Sequence, residues 1–320
     1  MTTLRAQHHP ACYPTDPDRA LAFFRSAFQS FPQDELPPAP KGNSLIGIVT
    51  PHIDFRVSLP SYAAAFRPLL DEPLADTYLI LGVGHRSELE WNLDRRDYTT
   101  PLGRAECAID LVEELVAGTE HAVHFSPTAH ESEHSIEFPL LWLQSLHQLH
   151  AASGKKAKPV RFVPLLCGGL HAYVEGFAEW DELDEFHRLS RVLASLFKKH
   201  PPGEKLRIIV SIDGCHLGPR FDHPFRVTST LLKATAGWEE KLWACAAQGD
   251  VRVFLDWMRD EGNDRYFDGV GALALLLGAA HGSRADGGKF TIQRTHYKQW
   301  FTERDASAVT FSSGRVLIKD

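Results

Sequence analysis

The sequence is poor in the features that mark several common protein classes. Its five cysteines (Cys12, Cys107, Cys167, Cys215 and Cys245) are scattered through 320 residues, odd in number and never spaced Cys-x-x-Cys. That argues against a disulfide framework or a paired-thiolate zinc module and fits a reduced, cytoplasmic protein. No apolar run approaches the ~20 residues that a membrane-spanning helix needs, so no membrane partner is expected. Residues 1–17, MTTLRAQHHPACYPTDP, lack the apolar stretch of a secretory signal. Basic residues are also in deficit, with 34 Lys and Arg against 41 Asp and Glu and a net charge of −7. Nucleic-acid binding is therefore not expected, and the short basic run at Lys155, Lys156 and Lys158 reads as a solvated loop.

What is present is a large apolar fraction, 43%, enough for a sizeable core. Four short runs carry much of it: SLIGIVT (44–50), TYLILGVG (77–84), VRFVPLLCG (160–168) and LRIIVSIDG (206–214). They are rich in Ile, Val and Leu without strict alternation, the pattern of strands buried on both faces of a mostly parallel sheet. Helical periodicity falls at about 18–31, 61–70, 107–117, 135–149, 180–199, 229–247, 250–260 and 270–281. The C-terminal stretches KFTIQRTHYKQW and ASAVTFSSGRVLIKD read as strands with an SSG turn. Gly287-Gly288 reads as an ordinary loop. With no internal repeat and no linker after residue 43, the expectation is α/β: one three-layer α/β/α domain over residues 1–320, with a central mostly parallel sheet. Residues 1–43 would pack on it as an extended and helical segment.

Ligands of open α/β sheets bind beyond the carboxyl ends of the strands. There the chain places histidine repeatedly. His52 follows the first run, His85 the second, and Asp213 then His216 the fourth; the third ends in Cys167-Gly168-Gly169. Any one of these histidines alone reads as a hydrogen-bonded loop residue. As a set, they point to a metal or proton-transfer site, since imidazole suits iron, zinc and copper and titrates near neutrality. Gly82 and Gly84 allow close approach before His85. GVGHRS is not a dinucleotide loop, because Ser87 stands where the third glycine would be.

The stretch HESEHSIEF (130–138) contains His-Glu-x-x-His, which on a helix would bind zinc in a protease. Ser126-Pro127-Thr128 upstream puts His130 in a loop or first turn, and the apolar periodicity begins only after His134. The informative half is EHSIE, which marks Glu133, His134 and Glu137 as the start of a helix. Glu137 could instead serve an ion pair with a base such as Arg86 or Arg220. Cys215 reads as a small buried thiol.

Seven segments in order resemble the Memo-like family, also described as AmmeMemoRadiSam system protein B. They are ACYPTDPDRALAFF, TPHIDF, LILGVGHRS, EHSIEFPLLWLQ, FVPLLCGGL, VSIDGCHLGPRF and FDGVGALALLLGAA, of which EHSIE is the most specific. The resemblance implies the fold of class III extradiol ring-cleavage dioxygenases, where two histidines and a carboxylate hold Fe(II). It implies His52 and His85 as metal ligands, with His216 nearby. Where many members carry Cys, this chain has Asp268, in F-D-G. Aspartate completes two histidines and one carboxylate, the arrangement of non-haem iron oxygenases; it also suits the N-cap of a helix starting near Gly269. The expected roles are then metal ligation by His52, His85 and Asp268, and catalysis by His216, Asp213 and His134. Glu133, Glu137, Asp54 and Arg86 would line the substrate pocket or support the ligands.

The expected cofactor is a divalent metal, Fe(II) ahead of Zn(II) or copper. The expected function is an iron-dependent oxygenase or redox enzyme on an unknown small molecule. The alternatives are a metal-binding accessory to a radical-SAM enzyme and an AMMECR-type partner, and, remotely, a zinc hydrolase. Asp54-Phe55, Ile212 and Cys12 depart from the family pattern around the pocket.

Overall fold

The computed structural model describes residues 4–6, 9–32, 35–87, 89–120, 122–154, 158–283 and 290–319. The loop readings at Lys155, Lys156 and Gly287-Gly288 lie outside these. The strands are β1 (Leu4–Arg5), β2 (Asn43–Thr50), β3 (Thr77–Val83), β4 (Trp91–Leu93), β5 (Asp97–Thr100), β6 (Gly103–Cys107), β7 (His124–Phe125), β8 (Arg161–Cys167), β9 (Leu206–Ser211), β10 (His216–Leu217), β11 (Phe290–Thr302) and β12 (Ser307–Lys319). The helices are α1 (Pro17–Ser30), α2 (Phe55–Phe66), α3 (Ile109–Thr119), α4 (Pro127–Glu131), α5 (His134–Ala152), α6 (His171–Val174), α7 (Asp184–Lys199), α8 (Ser229–Ala246), α9 (Val251–Glu261) and α10 (Val270–Ser283).

The four apolar runs are the four central strands, in the order β8-β3-β9-β2, all parallel. Their side chains alternate between two cores, which is why no strand alternates apolar with polar. Tyr78 and Ile80 of β3 face one core, with Phe24 of α1, Tyr62 of α2 and Trp142 of α5. Leu79 and Leu81 face the other, with Leu193 of α7, Phe254 of α9 and Leu273 of α10. The result is a sheet between two helical layers. Antiparallel strands extend it: β12 pairs with β2 and β11, and the β5–β6 hairpin joins the β8 side. Among the described residues no helix is long and apolar enough to cross a membrane.

Two boundary expectations are corrected. Ser312-Ser313-Gly314 is not a turn but lies inside β12, and the chain reverses at residues 303–306. Gly314 is needed there because a Cβ would come within 2.9 Å of Gln293 O on the paired strand. The helix expected at 61–70 starts earlier, at Phe55, where the Asp54 carboxylate accepts the Arg56 N–H, and ends in a 3-10 turn at Arg67–Leu70.

The chain order makes β3 a switch point, with β8 on one side and β9 on the other. The loops leaving β2, β9 and β3 therefore emerge side by side at one sheet edge. That is where such folds leave a crevice.

Candidate metal centre

A cleft of about 920 Å³ opens at that edge. It is lined by His52 after β2, His85 after β3, Asp213 and His216 after β9, His134 at the start of α5 and Asp268 before α10. All six came from the sequence, and the fold brings them together. Asp54 also lines the cleft, though its carboxylate is engaged by Arg56.

His52 is fully buried, and its Nδ1 faces Ser211 O at 3.1 Å. A carbonyl only accepts, so Nδ1 carries the proton and Nε2 presents a lone pair. That Nε2 has no hydrogen-bond partner, yet stands 3.1 Å from Asp268 Oδ2. Both Asp268 oxygens are likewise buried without a hydrogen-bond donor, and Oδ2 is 3.8 Å from His85 Nε2. Acceptor facing acceptor in a buried place requires a proton or a cation between them. The same geometry answers the capping alternative: no helix N–H reaches the Asp268 side chain, and α10 begins with the Leu273 N–H on Gly269 O.

Glu133 organises the other two imidazoles. Its carboxylate lies 3.1 Å from His85 Nδ1 and 3.3 Å from His134 Nδ1. It also caps α5, taking the backbone N–H of His134 and Ser135 at 2.8 and 2.9 Å. A ligand histidine held at Nδ1 by a carboxylate is fixed in tautomer and aim. The two rings stack at 5.0 Å, and His52 meets them edge-on at 4.9 and 5.1 Å. One nitrogen from each of His52, His85 and His134 falls within a mutual 4.8 Å, as do ligand atoms of His52, Asp213 and Asp268.

Electrostatics bind the set. Burial alone would lower the proton affinity of His52, but the Asp213 and Asp268 carboxylates outweigh it and raise it. His85, against the same burial effect, is raised to about 10 by Asp268 and Glu133. Burial would raise Asp268, yet the neighbouring His52 and His85 hold it below the usual carboxylate range. His134 is pulled down to about 3 by burial and by His52, so it is neutral. Burial raises Asp213, whose Oδ1 accepts the backbone N–H of His52 and Ile53 at 3.0 and 3.2 Å. His216 turns Nδ1 to Gly214 O and Tyr266 O, both at 3.2 Å, leaving Nε2 as its free nitrogen.

Two expected residues stand elsewhere. Glu137 does not line the cleft. It is fully buried under the N-terminal segment, paired with Arg5 rather than Arg86 or Arg220, and bonded to the Tyr13 hydroxyl. Arg86 is exposed, outside the cleft lining, with Nη1 on Ser132 Oγ at 3.2 Å. Arg220 does line the cleft, pairing with Asp305 across the Trp300 ring. The zinc-protease pattern is split between α4 and α5. His130 is buried away from the cleft, between the Tyr98 hydroxyl and Asn92 O. Cys215 is buried, as expected. Sequence reasoning missed His171, a cleft residue just past the glycines after β8; the strand-end signal that found His52 and His85 would have found it. Nothing local marked Trp300 or Asn263.

The donor set fits a divalent cation: bare imidazole nitrogens and a carboxylate with unused oxygens, backed by an outer carboxylate.

Comparison with known proteins agrees with the resemblance. A MEMO1 family protein of Methanopyrus kandleri is 27% identical over 270 residues, 75% of this chain and 90% of that relative. One of Thermus thermophilus is 26% identical over 271 residues, 83% of this chain and 70% of the relative. One of Aquifex aeolicus is 27% identical over 180 residues, and this chain covers only 41% of its length. Among solved structures, an uncharacterized protein JW3007 from Escherichia coli K12 superposes with a TM-score of 0.42 at 13% identity, covering 76% of this chain and 87% of that one. A family model described as Memo-like protein matches residues 5–314, and the chain belongs to that family.

Proposed function

We propose that the protein is a metal-dependent oxidoreductase of the non-haem iron kind, acting on a small molecule in the cleft. His52, His85 and Asp268 hold the cation in this reading. The observation that carries it is the buried 3.1 Å approach of His52 Nε2 to Asp268 Oδ2, a contact that needs a proton or a cation between its two atoms. When bound, a divalent metal supplies a Lewis acid and, as iron, a redox centre.

The chain's own groups do the rest. His216, its Nδ1 anchored on two carbonyls, is the acid or base, accepting or giving a proton at Nε2 toward the cleft. Asp213 fixes the backbone that carries His52, so the ligand cannot turn away. Neutral His134 offers either a further ligand nitrogen or a proton acceptor beside substrate. Trp300, Phe221 and Tyr266 line the cleft with aromatic rings against which an apolar part of a small molecule can pack. A protein that only held metal for a partner would have no use for a 920 Å³ cleft with an anchored imidazole on its wall, which favours turnover.

The test is anaerobic reconstitution with Fe(II), followed by oxygen uptake across a panel of small aromatic and hydroxylated compounds. The reading expects one tightly held metal ion per chain and substrate-dependent uptake that His216→Gln abolishes. Failure to retain Fe(II), Zn(II) or copper under any condition would sink it.

A further inference from the structure

Glu239 lies on α8, outside the cleft, and is fully buried. Its Oε1 accepts the Thr310 hydroxyl at 2.9 Å. The Thr310 oxygen in turn accepts the Cys215 backbone N–H at 2.6 Å. Thr310 grips the same turn through its main chain, with Gly214 N–H on Thr310 O at 2.7 Å and Thr310 N–H on Cys215 O at 3.0 Å. Gly214 is pressed against both side chains, and a Cβ at that position would overlap Thr310 Oγ1 and Glu239 Oε1. The turn held this way runs from Asp213 to His216, and Gly214 O is one of the two carbonyls that anchor His216 Nδ1.

A buried carboxyl is a costly way to fill space, since leucine or methionine would occupy similar volume without desolvating a polar group. Burial pushes the Glu239 carboxyl up to about 7, against the pull of nearby Tyr297, Thr310 and Arg294. Its partners are the Tyr297 hydroxyl and the Thr310 hydroxyl, and the second is the one that relays to the turn. A short chain of buried hydrogen bonds restricts its members to one arrangement more firmly than packing alone does.

We propose that Glu239 is a positioning residue: through Thr310 it fixes the Asp213–His216 turn, and with it the tautomer and aim of the His216 imidazole. The geometry stands apart from the metal reading, whereas its consequence for chemistry rests on that reading.

The test is imidazole nitrogen NMR of the full-length, metal-free chain, with the His216 signals identified by their loss in His216→Gln. Wild type should show a single tautomer protonated at Nδ1. Glu239→Leu and Thr310→Val should give a mixture of tautomers, while Glu239→Gln, which keeps an acceptor for the Thr310 hydroxyl, should look like wild type. Chemical unfolding identifies the variants that fold. If Glu239→Leu does not, Thr310→Val carries the comparison, since it exchanges only the hydroxyl for a methyl. Folded Glu239→Leu or Thr310→Val protein with the wild-type His216 signature would overturn the proposal. So would a Glu239→Gln protein as perturbed as Glu239→Leu. In parallel, Co(II) titration of the wild type tests the metal reading separately, since neither His216 nor its turn carries a ligand in that reading. A wild type that binds no Co(II) would count against the metal reading, and the NMR comparison would still decide the role of Glu239.

Discussion

Two buried acidic clusters lie close together around the start of α5, and they are built on opposite principles. Around Glu137 each carboxylate oxygen is answered by a donor. Arg5 Nη1 meets Oε2 at 2.5 Å, and the Tyr13 hydroxyl and His9 N–H meet Oε1. The other Arg5 N–H groups go to the carbonyls of His130, Glu131 and Glu133 at 2.9, 3.0 and 2.8 Å. Around Asp268 the carboxylate faces only the Nε2 atoms of His52 and His85 among the described residues, at 3.1 and 3.8 Å, and each contact needs a proton or a cation between its atoms. The first cluster is a closed ion pair that ties the N-terminal segment to the fold. The second is held by ring protons that a cation can replace. Burial and charge look alike in both, so hydrogen-bond completeness separates a structural carboxylate from a candidate ligand.

The comparison breaks most visibly on the closed side. Arg5→Ala strands a buried carboxylate and should cost about 3–5 kcal/mol of folding stability, read as a lower urea midpoint. Removing both charges together, as Arg5→Met with Glu137→Leu, should recover only part of the loss, because the carbonyls that Arg5 holds and the Tyr13 hydroxyl stay unanswered. If Arg5→Ala unfolds like wild type, the cluster is not structural. On the open side Asp268→Asn should do the reverse. It should cost the metal-free fold less than Arg5→Ala does, while metal affinity falls by more than the roughly 10–100-fold typical of outer-shell changes. Undiminished Zn(II) affinity in that variant, by calorimetry, would remove Asp268 from the ligand set.

Glu133→Gln is the intermediate case, because this carboxylate stands behind the proposed ligands His85 and His134. Metal affinity should drop roughly 10–100-fold. The pH dependence carries a sign. His85 is raised from 6.5 to about 10 in the fold, despite burial, by Asp268 and Glu133. Its stabilising contribution to the metal-free protein is therefore fully present below the unfolded value and lost as pH climbs toward 10. In Glu133→Gln one of the two raising carboxylates is gone, so that loss should end at a lower pH. Urea midpoints across the alkaline range measure it, and an unchanged profile would separate Glu133 from His85. Metal loading requires the unprotonated ring, so wild-type affinity should also rise with pH.

Much of this was legible in the sequence where the cause is local. A strand buried on both faces needs a continuous apolar run, and β2, β3, β8 and β9 all have one. A histidine just after such a run stands at the sheet's carboxyl edge, which located His52, His85 and His216. Asp268 has no such local mark, and only the family resemblance singled it out. What stayed hidden was non-local. The partner of Glu137 is Arg5, 132 residues away, and spacing says nothing about it. Glu239 reaches the site through a residue on β12, and its helix pattern shows only that it is half of an ordinary Glu-Glu pair. DYTT and GRAEC, too polar to look like strands, pair because a hairpin at the sheet margin needs little apolar surface.

The smallest effect on the cleft should come from the residue that made the sequence look like a zinc protease. His130 is buried, with Nδ1 at 3.1 Å from the Tyr98 hydroxyl and Nε2 at 3.2 Å from Asn92 O. Burial lowers its proton affinity to about 4, so it is a neutral ring whose two nitrogens are both engaged. It has no lone pair to offer a metal, unlike His134 four residues on. His130→Ala should leave the Tyr98 hydroxyl and the Asn92 carbonyl without partners, at about 1–3 kcal/mol for each group left unsatisfied. Zn(II) affinity should stay as in wild type. If metal affinity falls with His130→Ala while the fold stays intact, the distinction between answered and unanswered groups fails at its simplest test, and the two histidines of HESEH must be reconsidered as a pair.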